Sequence, residues 1–281
     1  MSNRGTSDVS MTITRDFGAR PVGAARQVHI PGSETVLSLL EHSFPVQVTG
    51  STVTAIDGVS AKPGSQWFLF VNGSASGIGS RKLRTIVRAG DRIWWDLHPD
   101  TATRNIPSVV GSFPEPFIHG LAGKRLPVTL ECASDVTTAC DRVATALAAV
   151  GVPAARQLIG TGSGTSTLGI VVGTWRDVQG EIAALLIAHG PSTGGVYARF
   201  GASGGHTLEL LDSRGLVVGR LGAGAGLVAA TGNTKTVPTW FVTGTDVAGV
   251  SAAASALTAA RLRNHLAVAV QGTRDLPVPQ P

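Results

Sequence analysis

Apolar and polar positions alternate over residues 11–16, where Met11 and Ile13 stand against Thr12 and Thr14, and the period of two predicts a strand. After the Gly32-Ser33 start signal, Val36, Leu37, Leu39 and Leu40 predict a short helix over 35–41. Strands follow at 52–56, closing on Asp57-Gly58, and at 66–71, closing on Asn72-Gly73, the strongest two-residue hairpin signal. Ile86-Val87, a turn at Ala89-Gly90-Asp91 and a strand over 92–97 complete a small sheet. One helix among several strands describes a β-grasp-like module over residues 11–98.

Residues 99–117 carry prolines at 99, 107, 114 and 116 together with Val109, Val110, Phe113 and Phe117. A free linker has no use for so many apolar side chains, so the expectation is an ordered strap crossing between two domains. From 118 to 272 strands and helices alternate. A strand at 126–131 leads into a helix at 135–150, stopped by Gly151 and Pro153. A strand at 168–172 leads through Gly173-Thr174 into a helix at 175–189, and one at 239–243 through Gly244-Thr245-Asp246 into a helix at 247–260. This repeated plan hints at internal duplication. Four short apolar runs between 196 and 231 read as a meander, and 266–270 as a returning strand. The expected fold is α+β, with the β-grasp-like module followed by a larger α/β layer domain built on a mixed sheet. Residues 1–10 read as a disordered tether and 273–281 as a disordered tail.

Of the 281 residues 15% are charged, 36 are glycine, and the formal net charge is +5. The mean hydropathy of +0.21 owes much to alanine and valine. No apolar run reaches the roughly 18 residues of a membrane-spanning helix. The arginines are scattered; the densest group, Arg81, Lys82, Arg84, Arg88 and Arg92, reads as a solvated face that could attract phosphates or an acidic polymer, and nucleic acid is not an expected partner.

Cys132 ends the apolar run at 126–131, and Cys140 falls in the second turn of the following helix on the face toward the sheet. A disulfide fits this placement and implies an oxidising compartment. Two buried thiols, or a metal pair lacking its other ligands, are the alternatives.

The run Trp67-Phe68-Leu69-Phe70-Val71-Asn72-Gly73, followed by Gly90-Asp91-Arg92-Ile93-Trp94-Trp95-Asp96, resembles the signature of the transcobalamin C-terminal-like family: an aromatic strand running into Asn-Gly, then a Gly-Asp turn feeding a second aromatic strand. The helix at 35–40 and Ile56-Asp57-Gly58 occupy matching places. The resemblance implies a β-grasp-like fold and, by analogy, contact with a corrinoid or another flat ligand. No cofactor is otherwise indicated.

Alternation puts Trp67 and Leu69 on one face of their strand and Phe68 and Phe70 on the other, and divides Trp94 from Trp95. A single helix covers one face only, so the expected ligand-binding set is Trp67, Phe68, Phe70, Asn72, Gly73, Trp94, Trp95 and Asp96, and His98 is a lone candidate for an axial metal ligand. The glycine tracts 160–166 and 222–226 lack the Lys-Ser/Thr ending of a phosphate loop and read as turns. Seven histidines show no metal-ligand spacing, and no nucleophile elbow or paired carboxylates stand out, so catalysis is not expected. The function expected is that of an extracytoplasmic, non-enzymatic protein binding a small molecule, such as a corrinoid destined for an importer. It would meet the membrane only through a removed leader or lipid anchor. The alternative is an envelope module binding a protein or a polymer.

Overall fold

A computed structural model describes residues 8–27, 30, 32–76, 83–162, 164, 166–233 and 236–281. Arg81 and Lys82 of the basic group, Ser163 and Thr165 of the first glycine tract, and residues 1–7 of the expected tether lie outside them.

The fold is α+β. In the first module β1 (Val9–Arg15) and β2 (Arg20–Gln27) form an antiparallel hairpin. Helix α1 (Val36–Ser43) starts at Thr35, whose Oγ1 accepts from Ser38 N at 3.1 Å, and so satisfies one of the first-turn donors. A small antiparallel sheet of β3 (Val46–Thr49), β4 (Thr52–Ile56) and β5 (Val59–Ser60) leads to β6 (Ser65–Val71), β7 (Ser74–Ala75) and β8 (Arg92–Pro99). The main sheet runs β2-β1-β8-β6-β7, with β1 and β8 parallel at its centre. That is a β-grasp arrangement. Asn72 (φ 53°) and Gly73 (φ 73°) both take the left-handed conformation that a tight hairpin needs, and join β6 to β7.

The second module is built on a seven-stranded mixed sheet. Its strands are β9 (Val128–Cys132), β10 (Ala154–Leu158), β11 (Leu168–Thr174), β15 (Ala225–Thr231), β16 (Thr239–Gly244), β17 (Ala267–Gln271) and β18 (Arg274–Val278), in the order β10-β9-β11-β16-β15-β17-β18. The first four in that order are parallel. On one face lie α2 (Thr137–Ala149) and α6 (Val247–Ala256), whose Val143, Leu147, Val250 and Ala253 meet Leu130, Ile170 and Trp240 of the sheet. On the other face lie α3 (Trp175–Val178), α4 (Ile182–Ala188), α5 (Pro191–Gly194) and a separate sheet of β12 (Ala198–Phe200), β13 (Leu208–Leu211) and β14 (Val217–Leu221). The short α7 (Ala259–Leu262) precedes β17.

Several local readings are corrected. Residues 274–278, read as tail, form β18 against β17, and Val9 and Ser10, read as tether, open β1. Ile86 makes a single bridge to Thr35 rather than a strand. The helix expected over 175–189 is two helices parted around Gly180, and that over 247–260 breaks before Thr258, which caps α7. The meander is likewise divided, since β15 leaves the three-stranded sheet and joins the main one.

The strap is interior. Val110, Phe113 and Phe117 enter the core beneath α2 and α6, with Phe117 edge-on to Trp240 at 5.0 Å between ring centres. Ile106 and Val109 enter the core of the opposite face. Its backbone ties the modules together: Val109 N donates to Gly73 O at 2.8 Å, and Val110 N to Leu266 O at 3.1 Å.

Candidate functional site

The ring residues expected to bind a ligand are sealed. Trp67, Phe68, Phe70, Trp94 and Trp95 are each no more than 8% exposed. Trp67, Leu69, Ile93 and Trp95 pack under α1 with Val36, Leu39 and Leu40. Phe68, Phe70 and Trp94 face the other way, into one continuous core with Val171, Tyr197, Phe241 and Leu266 of the second module. The alternation along β6 and β8 is as the sequence implies, but each face of this thin sheet has its own cover. Of the expected binding set only Trp94 also borders an open cavity, while the polar members Asn72, Gly73 and Asp96 are engaged inside the protein. Asn72 donates from Nδ2 to Asp91 Oδ1 (2.9 Å) and Gly120 O (3.0 Å) and accepts at Oδ1 from Arg92 N (2.9 Å), so it is a strut between turn and strap. A Cβ at Gly73 would lie 2.9 Å from Val109 O, so that turn is pressed against the strap.

Asp96 and His98 centre a buried polar knot at the seam. Asp96 Oδ1 accepts from Thr14 Oγ1 (2.5 Å) and Gly18 N (2.9 Å), its Oδ2 lies 2.5 Å from His98 Nδ1, and Trp94 Nε1 donates to Thr14 Oγ1 at 2.7 Å. A carboxylate tolerates burial when its lone pairs are met in this way. The His98 ring is stacked between Phe17 (4.2 Å) and Phe68 (3.9 Å) and its side chain is wholly buried, so an axial metal has no route to it from outside. Thr14 bonds the carboxylate and not the imidazole, so the group lacks the hydroxyl–imidazole–carboxylate order of a nucleophilic relay. Nearby, Tyr197 meets Phe17 edge-on at 5.4 Å; burial first, and then Asp100, push its phenol well above the ordinary range. Gly18 (φ 85°) is required here twice over, because a Cβ would stand 1.7 Å from Asn264 O across the seam. Among the described residues no cluster of three metal-binding side chains occurs.

What the seam does leave open is a cleft of about 500 Å³, walled by β1 and β2, the start of β8, the strap and the turn after α7. Ser10, Thr12 and Arg26 line one side, and Arg92 and Trp94 the floor. Ser112 and Glu115 come from the strap, His119 from just beyond its end, and Arg263 and Asn264 from the second module. Arg26 is paired with Asp8. Glu115, itself buried, spends both oxygens on His119, accepting from its backbone N at 2.9 Å and meeting Nδ1 at 2.6 Å. Arg92 donates to Phe113 O at 2.9 Å. Burial pulls its guanidinium below the ordinary range; Glu115 opposes this and the charge of Arg263 adds to it. Beside the cleft, burial raises the Asp91 carboxyl against the hydrogen bonds from Arg88 N and Asn72 that hold it down.

Residues 33–99 match a family described as a domain of unknown function, DUF4430. Comparison with curated proteins and with solved structures finds no match to this chain. The DUF4430 segment runs from α1 through β8 and leaves out the β1–β2 hairpin, although β1 pairs with β8 along its length. The folded module therefore extends N-terminally beyond the match. Of the cleft, only the Gly90–Trp94 stretch lies in the DUF4430 segment.

Of these cleft residues only Trp94 belongs to the set that the sequence points to. Arg92 was grouped with its exposed sequence neighbours Arg84 and Arg88, yet strand register turns it inward. Glu115 and His119, four apart, carried the one local signal.

Cys132 and Cys140 are joined in a disulfide, Cα–Cα 6.1 Å, pinning the start of α2 to the end of β9. Among the described residues no helix is long and apolar enough to cross a membrane.

Proposed function

We propose that this chain is an exported, non-enzymatic ligand-binding protein whose small-molecule ligand occupies the cleft between the β-grasp module and the larger module. The observation that carries this reading is the cleft itself: its volume of about 500 Å³ lies within the range of small-molecule sites, and three separate parts of the chain turn polar side chains into it. The disulfide supports an oxidising compartment. The likeness of residues 67–96 to the transcobalamin C-terminal-like family supports a binding role and makes a corrinoid bound for an importer the first ligand to try. With the other rings interior, such a ligand meets the cleft, where Trp94 is the ring within reach. Calorimetric titration with cobalamin, sugars, carboxylates and phosphates tests the reading. At least one is expected to bind, and Thr12→Trp, which fills the cleft from β1, is expected to abolish that binding. Binding unchanged in both Thr12→Trp and Ser10→Tyr would overturn it.

A second reading, an envelope assembly module, is favoured by Ile182 (84% exposed) and Leu158 (68% exposed). Exposed apolar side chains of this size are what a partner-binding face offers. Ile182→Glu would then abolish capture of an envelope partner and leave small-molecule binding intact.

A further inference from the structure

We infer that the cleft is an anion site, its ligand carrying a carboxylate or phosphate group held between Arg92 and Arg263. The inference rests on the cleft being the ligand site and adds the chemical class of what enters it. Two guanidinium groups of like charge face the same cavity from different modules, and among the described residues neither makes an ion pair. The carboxylates nearest the cleft have their oxygens hydrogen-bonded elsewhere, and Glu115 acts on Arg92 only as a charge through space. Asp8 is taken by Arg26, both oxygens of Glu115 are taken by His119, and those of Asp91 by Asn72 and the Arg88 backbone.

Bringing like charges together in a partly desolvated cleft raises the energy of the empty state, and an oxyanion between them relieves it. The rest of the guanidinium chemistry fits. Arg92 uses one terminal nitrogen on Phe113 O, so further N–H groups remain to grip a planar carboxylate or a phosphate in the forked geometry that arginine favours. Ser10, Thr12 and Ser112 add hydroxyl donors along the walls. The cleft's volume of about 500 Å³ and its two guanidinium groups without ion-pair partners match a small molecule with one or two acidic groups.

The test titrates the full chain separately with inorganic phosphate, with malonate and with glucose, in wild type, Arg263→Gln and Arg92→Gln. Arg263 is exposed, so its replacement leaves the fold intact. Either phosphate or malonate is expected to bind, roughly tenfold or more weakly in each variant and more weakly as salt is raised. Which of the two binds names the acidic group. NMR amide shifts at Arg263 and Asn264 on titration supply a readout that does not depend on a variant folding. Equal anion affinity in wild type and both variants, or no shift at Arg263 and Asn264, overturns the inference. If a neutral compound binds and Thr12→Trp abolishes it, while neither anion binds, the anion assignment falls and the binding-protein reading stands. If nothing in either panel binds, both fall.

Discussion

Replacing Phe70 with alanine removes a ring that is 1% exposed, lies 5.4 Å from Trp94, and belongs to the core shared with Tyr197 and Phe241 of the second module. Returning such a side chain to water forfeits about 1.5–3 kcal/mol of transfer free energy. The cavity left behind adds to this, because the site is clamped between two sheets and cannot collapse, and the whole cost is about 3–5 kcal/mol. At about 2–4 °C per kcal/mol for a chain of this size, the melting midpoint should fall on the order of 10 °C. Guanidinium unfolding followed by tryptophan fluorescence, with calorimetry alongside, measures both. Leu158→Ala, at a position 68% exposed, is the control and should move stability by less than about 0.5 kcal/mol. A Phe70→Ala protein within about 1 kcal/mol of the parent, with an unchanged denaturant slope, would refute the claim that the ring is structural and return it to the ligand-facing surface.

Asp96→Ala should cost on the order of 3 kcal/mol, because Thr14, Gly18 and His98 all lose their buried acceptor, and Asp96→Asn should cost less; urea unfolding of the two separates them. Replacing Cys132 and Cys140 together by serine should cost about 2–3 kcal/mol, the value expected for a loop this short, and adding reductant should lower the parent's melting midpoint and leave the variant's unmoved. Burial, opposed by Asp275 and the Asn264 backbone, holds the His265 imidazole below its ordinary 6.5. As pH falls, the unfolded chain takes this proton first, so the group's contribution is complete above 6.5 and is lost as pH falls through the folded value. Melting midpoints between pH 7.5 and 5 should therefore fall less steeply in His265→Gln, and equal slopes would contradict the assignment.

The polar knot also bears on how the two modules are held. Gly18 approaches Asn264 so closely that no side chain fits, and the amide of the same glycine bonds Asp96. The seam is therefore fixed by directional contacts as well as by apolar burial, and the neighbouring cleft has stiff walls.

The amino-acid sequence by itself determined what depends on neighbours a few residues apart. The period of two along β6 and β8, the Asn72-Gly73 turn, the Gly173-Thr174 step into α3 and the α+β class were all legible, because each follows from local backbone geometry. Cys132 and Cys140 could be placed near each other for the same reason, although free thiols remained open. Strands such as β2, with its exposed Arg20-Pro21 start, and β18, with Pro277 within it, carry little alternation and owe their form to the neighbour they pair with. The covering of Phe70 by Tyr197 and Phe241, and the meeting of Arg26, Arg92 and Arg263 at one cleft, were decided by the tertiary structure alone. Alternation states that a strand has two faces; only the chain folding back from more than a hundred residues away supplies the second cover and leaves the gap beside it.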